Sequence, residues 1–109
     1  MKLKKRCENG TLTVFLSGEL DHHSVDSARA ALDEMLELEE FRQLELDFSG
    51  IVFMDSSGIG LVLSRYQQMR KQGIPMRVVG SRGYTRRIFQ LAGVTRVVPF
   101  DGEEVTSKA

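Results

Sequence analysis

Alternating hydrophobic and polar positions predict the first strands of this chain. Lys2–Glu8 is a weak strand candidate, and Asn9-Gly10 after it is typical of a two-residue hairpin turn, because both turn positions favour positive φ. Thr11–Ser17 and Arg42–Phe48 alternate clearly, as half-buried strands do. The apolar positions on one face are Leu12, Val14 and Leu16 in the former and Leu44, Leu46 and Phe48 in the latter.

Apolar residues at intervals of three and four predict helices between these strands. The first helix follows a strand exit at Gly18–Asp21 and has Ser24 or Asp21 as its cap. Gly73 and Gly93 are stop signals for the second and third predicted helices, since glycine commonly ends helices in the left-handed conformation. The predicted helices run from Val25 through Glu39, over about Ser57–Gln72, and over Ser81–Ala92.

The remaining segments complete an α/β order. Ser49–Asp55 is predicted as a loop, Met76–Val79 and Arg96–Phe100 as short strands, and the stretch from Asp101 as a polar tail or short helix. The order β-β-α-β-α-β-α-β predicts α/β layers with right-handed crossovers. The 109 residues suit one hydrophobic core, so residues 1–109 are predicted to form a single compact domain.

Composition narrows the class of partner. With 15 acidic and 15 basic residues, the chain has no charge excess that would indicate nucleic acid or a membrane surface as a partner. The single Cys7 can form neither an internal disulfide nor a zinc site with other cysteines. The basic start lacks a following apolar run, and no stretch is long enough for a membrane helix. We therefore expect a cytoplasmic protein.

The stretch IVFMDSSGIG places Asp55, Ser56 and Ser57 at the start of the second helix, followed by Gly58 and Gly60. Polar side chains in such a place cap the free N–H groups of the helix. Two glycines in the first turn are costly, at about 1 kcal/mol each relative to alanine, and indicate a close approach to the backbone.

Two catalytic or ligand-binding alternatives fit the same residues less well. A hydrolase would use Ser56 or Ser57 with His22 or His23 and Asp21, but the serines lack the G-x-S-x-G pattern of a nucleophile elbow. A nucleotide loop would need a Walker lysine or G-x-G-x-x-G, and neither is present.

Phosphorylation is the fourth interpretation, and it is compatible with capping. A helix N-terminus accommodates a phosphate, which brings roughly −1.5 to −2 charges. Such a charge would repel a partner that packs on a neutral patch, for which Ile51, Phe53 and Ile59 are candidates. At least one or two of these three residues are expected to pack in the core instead. Met54 is expected to be exposed on the loop before the serines.

Three stretches together resemble a known family. They are SGELDHHSVDSARAAL (17–32), DFSGIVFMDSSGIGLVLSRYQQMRKQG (47–73) and RIFQLAGV (87–94). In this order they resemble the anti-sigma factor antagonists of the sporulation type, which are STAS domains, and the resemblance covers nearly the whole chain. It implies a single-domain STAS-like fold with a mixed sheet of four to five strands and helices mainly on one face.

The resemblance also implies a function. The unphosphorylated antagonist binds an anti-sigma factor that is also a serine kinase, in the ATP- or ADP-bound state of that kinase. This binding releases a sigma factor. The kinase phosphorylates the first serine after the aspartate, here Ser56, and a PP2C-type phosphatase restores the active form. The family's acidic residue after the second strand corresponds to Asp21. The chain is then a transcription regulator, with no enzyme activity, cofactor or metal of its own.

We therefore predict that Ser56 lies at the start of the second helix, next to Asp21, and that phosphate acts there with little refolding. The predicted partner-binding residues are Asp21, Ile51, Phe53, Met54, Asp55, Ser57, Gly58 and Ile59. The alternative function is a STAS scaffold or interaction subunit that no dedicated kinase regulates.

Overall fold

The computed structural model describes residues 1–101. Within them the chain forms four strands, three α-helices and one 3₁₀ turn in a single α/β domain. The strands are β1 (Lys2–Glu8), β2 (Thr11–Leu20), β3 (Gln43–Met54) and β4 (Met76–Val79). The helices are α1 (Val25–Glu37), α2 (Ser56–Lys71) and α3 (Gly83–Leu91), and the 3₁₀ turn is Val94–Arg96.

The turn between β1 and β2 is the predicted hairpin. Asn9 has φ 52° and Gly10 has φ 83°, so both occupy the left-handed region that this turn requires. β1 therefore pairs antiparallel with β2, from Lys2 opposite Ser17 to Glu8 opposite Thr11.

The sheet is mixed, with the order β1-β2-β3-β4. β2 and β3 are parallel, as are β3 and β4, and helices form the crossovers that parallel strands require. The helices pack over the apolar face, where the core includes Leu12, Val14, Leu44, Leu46 and Phe48. The predicted fold class is confirmed, with four strands in the part of the chain that the structure describes.

The opposite face of the sheet carries polar contacts across the strands. The Thr13 hydroxyl donates to Glu45 Oε1 (3.4 Å), and Arg77 Nε donates to Glu45 Oε2 (2.9 Å). This alternation of an apolar face and a polar face explains why the first part of each long strand was readable from the sequence.

The strands β2 and β3 are longer than predicted, and the expected loop Ser49–Asp55 is wrong. β3 continues to Met54, and β2 continues through the predicted strand exit to Leu20. β3 contains two β-bulges. At the first, two residues of β3 lie opposite the single residue Leu16 of β2. At the second, Val52 has no residue of β2 opposite it. A bulge breaks the period of two on which strand prediction depends.

The predicted final strand Arg96–Phe100 is also wrong. Val94–Arg96 forms a 3₁₀ turn after Gly93, and only Phe100 pairs with the sheet, through a single parallel bridge to Val78. Pro99 contributes to this outcome because proline lacks the N–H that a regular ladder needs. The predicted tail beyond Asp101 lies outside the described residues.

Glycines end the helices as predicted, although the helix ends shift by a few residues. Gly73 follows α2 with φ 72°, and Gly93 follows α3 with φ 78°. α1 ends at Glu37 rather than Glu39, and α3 begins at Gly83 rather than Ser81.

Candidate functional site

The ends of two parallel strands build the candidate site. Leu20 and Met54 are paired at the carboxyl ends of β2 and β3, so the residues that follow them emerge side by side. The Asp55 N–H donates to the Leu20 carbonyl (3.2 Å), which joins the two exits. The fold thus brings the Asp21 loop to the start of α2, although these residues are more than thirty positions apart in sequence.

Asp55 is the N-cap of α2. Its backbone is extended (φ −113°), and its Oδ1 accepts a hydrogen bond from the Ser57 N–H (2.8 Å). This backbone hydrogen bond holds the pKa of the Asp55 carboxyl below its ordinary value, against an opposing contribution from desolvation. The cap is therefore an ionised carboxylate, and both serines belong to the helix.

Ser56 is the first residue of α2, one position earlier than the predicted helix start. Its side chain is exposed, and no group within residues 1–101 forms a hydrogen bond with its hydroxyl. Ser57 is half-buried and donates to the cap, so the two serines differ in accessibility.

The Asp21 loop is closed by its own side chains. Asp21 Oδ1 accepts from the N–H groups of His23 (3.0 Å) and Ser24 (3.1 Å). Ser24 occupies the N-cap position of α1, but its hydroxyl donates to the Glu19 carbonyl (2.8 Å) and makes no capping bond. Asp21 therefore orders the turn into α1, while Ser24 ties that turn back to β2.

His22 connects this loop to the start of α2. Its N–H donates to Asp55 Oδ2 (3.3 Å), and its Nδ1 lies 3.5 Å from the same oxygen. The imidazole thus faces the Asp55 carboxylate rather than a serine hydroxyl, which is not the arrangement of a nucleophile and its base.

The floor of the site is fully packed. Met54 is 0% exposed, so the expectation that it is exposed is wrong, and Gly58 and Ile51 are buried beside it. A Cβ on Gly58 would lie 2.6 Å from Met54 Cγ, which confirms the predicted close approach there. Gly60 has no neighbour within 4 Å of such a Cβ, so the prediction of close packing does not hold at Gly60 within the described residues. Met54 and Gly58 therefore pack against each other at the start of α2, and Ile51 belongs to the buried core.

The rim of the site is apolar and open. Phe53 is 42% exposed, and Ile59 is half-buried. Sequence reasoning missed two neighbours of Phe53, which are Val52 (77% exposed) and Tyr84 (62% exposed). The Tyr84 ring stacks on the Phe53 ring, with the ring centroids 6.4 Å apart. The only sequence signal for Val52 was an apolar run that continues past the regular alternation.

A groove of about 840 Å³ lies elsewhere, and α1 and α2 contribute most of its lining, which includes none of the predicted site residues. It contains the ion pair between the buried Arg65 and the exposed Asp33. Within residues 1–101 no cluster of three metal-binding side chains occurs. No helix in that part of the chain combines the length and apolar character needed to cross a membrane.

Comparison with known proteins gives one family. The STAS domain model matches residues 2–106 of the chain. The chain is 32% identical over 107 residues to an anti-sigma F factor antagonist of Paenibacillus polymyxa, and the match covers 98% of this chain and 92% of that protein.

Solved structures give the same result. The anti-sigma factor antagonist SpoIIAA in its unphosphorylated form is 27% identical, with a TM-score of 0.74, and the match covers 98% of this chain and 94% of the other. The Bacillus cell fate determinant SpoIIAA in the phosphorylated form is also 27% identical, with a TM-score of 0.67 and coverage of 98% and 97%.

Proposed function

The chain belongs to the STAS domain family and is an anti-sigma factor antagonist by relationship, and from that premise we propose how it acts. Its unphosphorylated form binds an anti-sigma factor that is also a serine kinase, in the ATP- or ADP-bound state of that kinase. Binding releases a sigma factor in the cytoplasm. The kinase inactivates the antagonist by phosphorylating Ser56, so the chain is a substrate and regulator rather than an enzyme.

The observation that carries this proposal is the exposed Ser56 hydroxyl at the first position of α2. A kinase must reach the hydroxyl without unfolding its substrate, and Ser56 meets this condition whereas Ser57 is half-buried. The partial positive charge of the helix N-terminus then favours the new phosphate at this position.

The phosphate acts on the partner through charge. It adds roughly −1.5 to −2 charges beside the ionised Asp55 and near Asp21. A partner that covers the apolar side chains of Phe53 and Ile59 would have to desolvate that charge and would meet repulsion from its own acidic groups. No refolding is needed, because Ser56 is exposed at the first position of α2 and its phosphate would extend into solvent.

A separate PP2C-type phosphatase completes the proposed cycle by removing the phosphate. The existence of SpoIIAA in both forms, each with a fold similar to this chain, supports a reversible modification on a constant fold. Solvent access to Ser56 serves the phosphatase as well as the kinase.

Incubation with the anti-sigma factor kinase from the same genome and with ATP tests the proposal. Intact mass should rise by one phosphate in the wild-type chain and stay unchanged in Ser56→Ala. The matched control is Ser57→Ala, which should still accept the phosphate. Phosphate retained by Ser56→Ala would move the site, and no phosphate on the wild type would favour the scaffold alternative.

Binding of the same kinase tests the charge mechanism. Ser56→Ala should bind like the unphosphorylated wild type, whereas Ser56→Asp should bind roughly 10-fold or more weakly, because about 1.4 kcal/mol of desolvation and repulsion gives that factor. Calorimetric titration measures both dissociation constants. Equal affinities of the two variants would contradict the mechanism.

A further inference from the structure

We propose that Val52 and Tyr84 join Phe53, already assigned to the partner above, in one contact surface for the same anti-sigma factor, which we name the aromatic ridge. This inference rests on the proposed function and extends it to α3, which no argument above assigns to binding. The ridge supplies binding affinity in the unphosphorylated form, while Ser56 supplies the switch.

The backbone of β3 is arranged to expose the ridge. Val52 has no residue opposite it, since Ile51 pairs with Gly18 and Phe53 pairs with the next residue, Glu19. This bulge leaves Val52 and Phe53 both exposed, although they are consecutive and a regular strand would turn one of them to the core. Bulges commonly redirect side chains next to functional sites.

The third member comes from a different element. Tyr84 is the second residue of α3, after Gly83 with φ 58°, and its ring stacks on Phe53 at an interplanar angle of 25°. Despite this contact the three side chains remain 77%, 42% and 62% exposed. Large apolar side chains that share one exposed surface are typical of interaction sites, and aromatic residues are enriched at interface hot spots.

Continuity with Ser56 identifies the occupant. Phe53 lies three residues before Ser56, so their Cα atoms are at most roughly 10 Å apart even in an extended chain. A stable interface buries about 800 Å² on each partner, far more than one serine and its neighbours provide. A kinase that covers Ser56 therefore extends over Phe53, and Tyr84 lies against that ring.

The sheet leaves this side of β3 open to such a partner. β4 pairs with β3 only from Leu44 to Asp47, so in the described part of the chain the stretch from Ser49 to Met54 has a strand neighbour on one side alone. Val52 and Phe53 of the ridge lie in this part of β3, beyond the last residue that pairs with β4.

Titration of the anti-sigma factor kinase against ridge variants tests the inference. Tyr84→Ala and Val52→Asp should each weaken binding about 10-fold or more, because the first truncates an interface anchor and the second places a charge in the apolar contact. Tyr84→Phe, which keeps the ring, should retain most of the affinity. Leu91→Ala is the matched control, because Leu91 lies on the same helix and is 75% exposed but is not part of the ridge.

The outcomes separate the ridge from the switch. Weaker binding by Tyr84→Ala and Val52→Asp, with Leu91→Ala unchanged, supports the ridge. Affinity within twofold of wild type in both ridge variants, while Ser56→Asp still binds weakly, overturns the ridge and leaves the switch intact. Equal losses in Tyr84→Ala and Leu91→Ala also overturn it, since they indicate an effect on α3 as a whole. If Ser56→Asp binds like wild type, the charge mechanism fails instead, and if the wild type takes up no phosphate from the kinase, the proposed function fails.

Discussion

The two halves of β3 differ although they form one strand. From Gln43 to Phe48 the strand alternates regularly, and through Asp47 it pairs with β2 and, from Leu44, with β4. The first bulge, at Phe48 and Ser49, marks the boundary, and from there to Met54 the strand contains the second bulge, pairs with β2 alone, and carries consecutive exposed side chains. The regular half builds the core, and the irregular half leads into the Asp55 cap and Ser56.

This difference separates a half that contributes mainly to stability from a half that exposes the residues we propose to bind the partner. The regular half is constrained by neighbours on both edges and by the helices above it, so its side chains contribute mainly through burial. The irregular half has no pairing with β4, and it exposes apolar side chains to solvent beside the accessible Ser56 hydroxyl. Substitutions in the two halves should therefore have different consequences.

The largest expected effect is in the regular half. Phe48 is 1% exposed and meets Phe89 edge to face, with ring centroids 5.4 Å apart. Phe48→Ala should lower the free energy of unfolding by about 3–5 kcal/mol, because it leaves a cavity in the core. Urea denaturation measures this loss. Val52→Ala, in the irregular half, should change it by no more than about 0.5 kcal/mol, and equal losses would erase the distinction.

An intermediate effect is expected where the irregular half meets α2. Gly58→Ala places a Cβ against Met54 and should cost about 1–3 kcal/mol through overpacking. Gly60→Ala meets no neighbour within 4 Å and should stabilise the chain by about 0.5–1 kcal/mol, because alanine is the better helix former. Thermal unfolding of the two variants gives the two signs. Stabilisation by both would show that the contact between Gly58 and Met54 yields, and destabilisation by both would contradict the open position of Gly60.

The smallest effect concerns the cap itself. Because the Ser57 N–H lowers the pKa of Asp55 in the folded state, the ionised carboxylate stabilises the fold. This contribution is complete above the unfolded pKa of about 3.9 and disappears as pH falls through the lower folded value. Asp55→Asn lacks it, so the melting temperatures of wild type and variant should converge on acidification below about pH 4. Parallel curves between pH 6 and pH 2.5 would contradict this.

Much of the fold was predictable because it depends on local signals. The Asn9-Gly10 turn, the alternation in β2 and the first half of β3, and the stop signals Gly73 and Gly93 were confirmed, since each acts over a few residues. Prediction failed where bulges interrupt the strand period of two, so the second half of β3 was predicted as a loop.

For the candidate site, the sequence by itself determined the helix start, with a carboxylate and two serines before an apolar-periodic helix. Only the tertiary structure decided which side chains face solvent. It exposes Ser56, buries Met54, joins His22 to Asp55, and brings Tyr84 onto Phe53. The physical reason is that capping is a local hydrogen-bonding property, whereas exposure depends on strand lengths, bulges and crossovers that bring distant residues to one edge of the sheet.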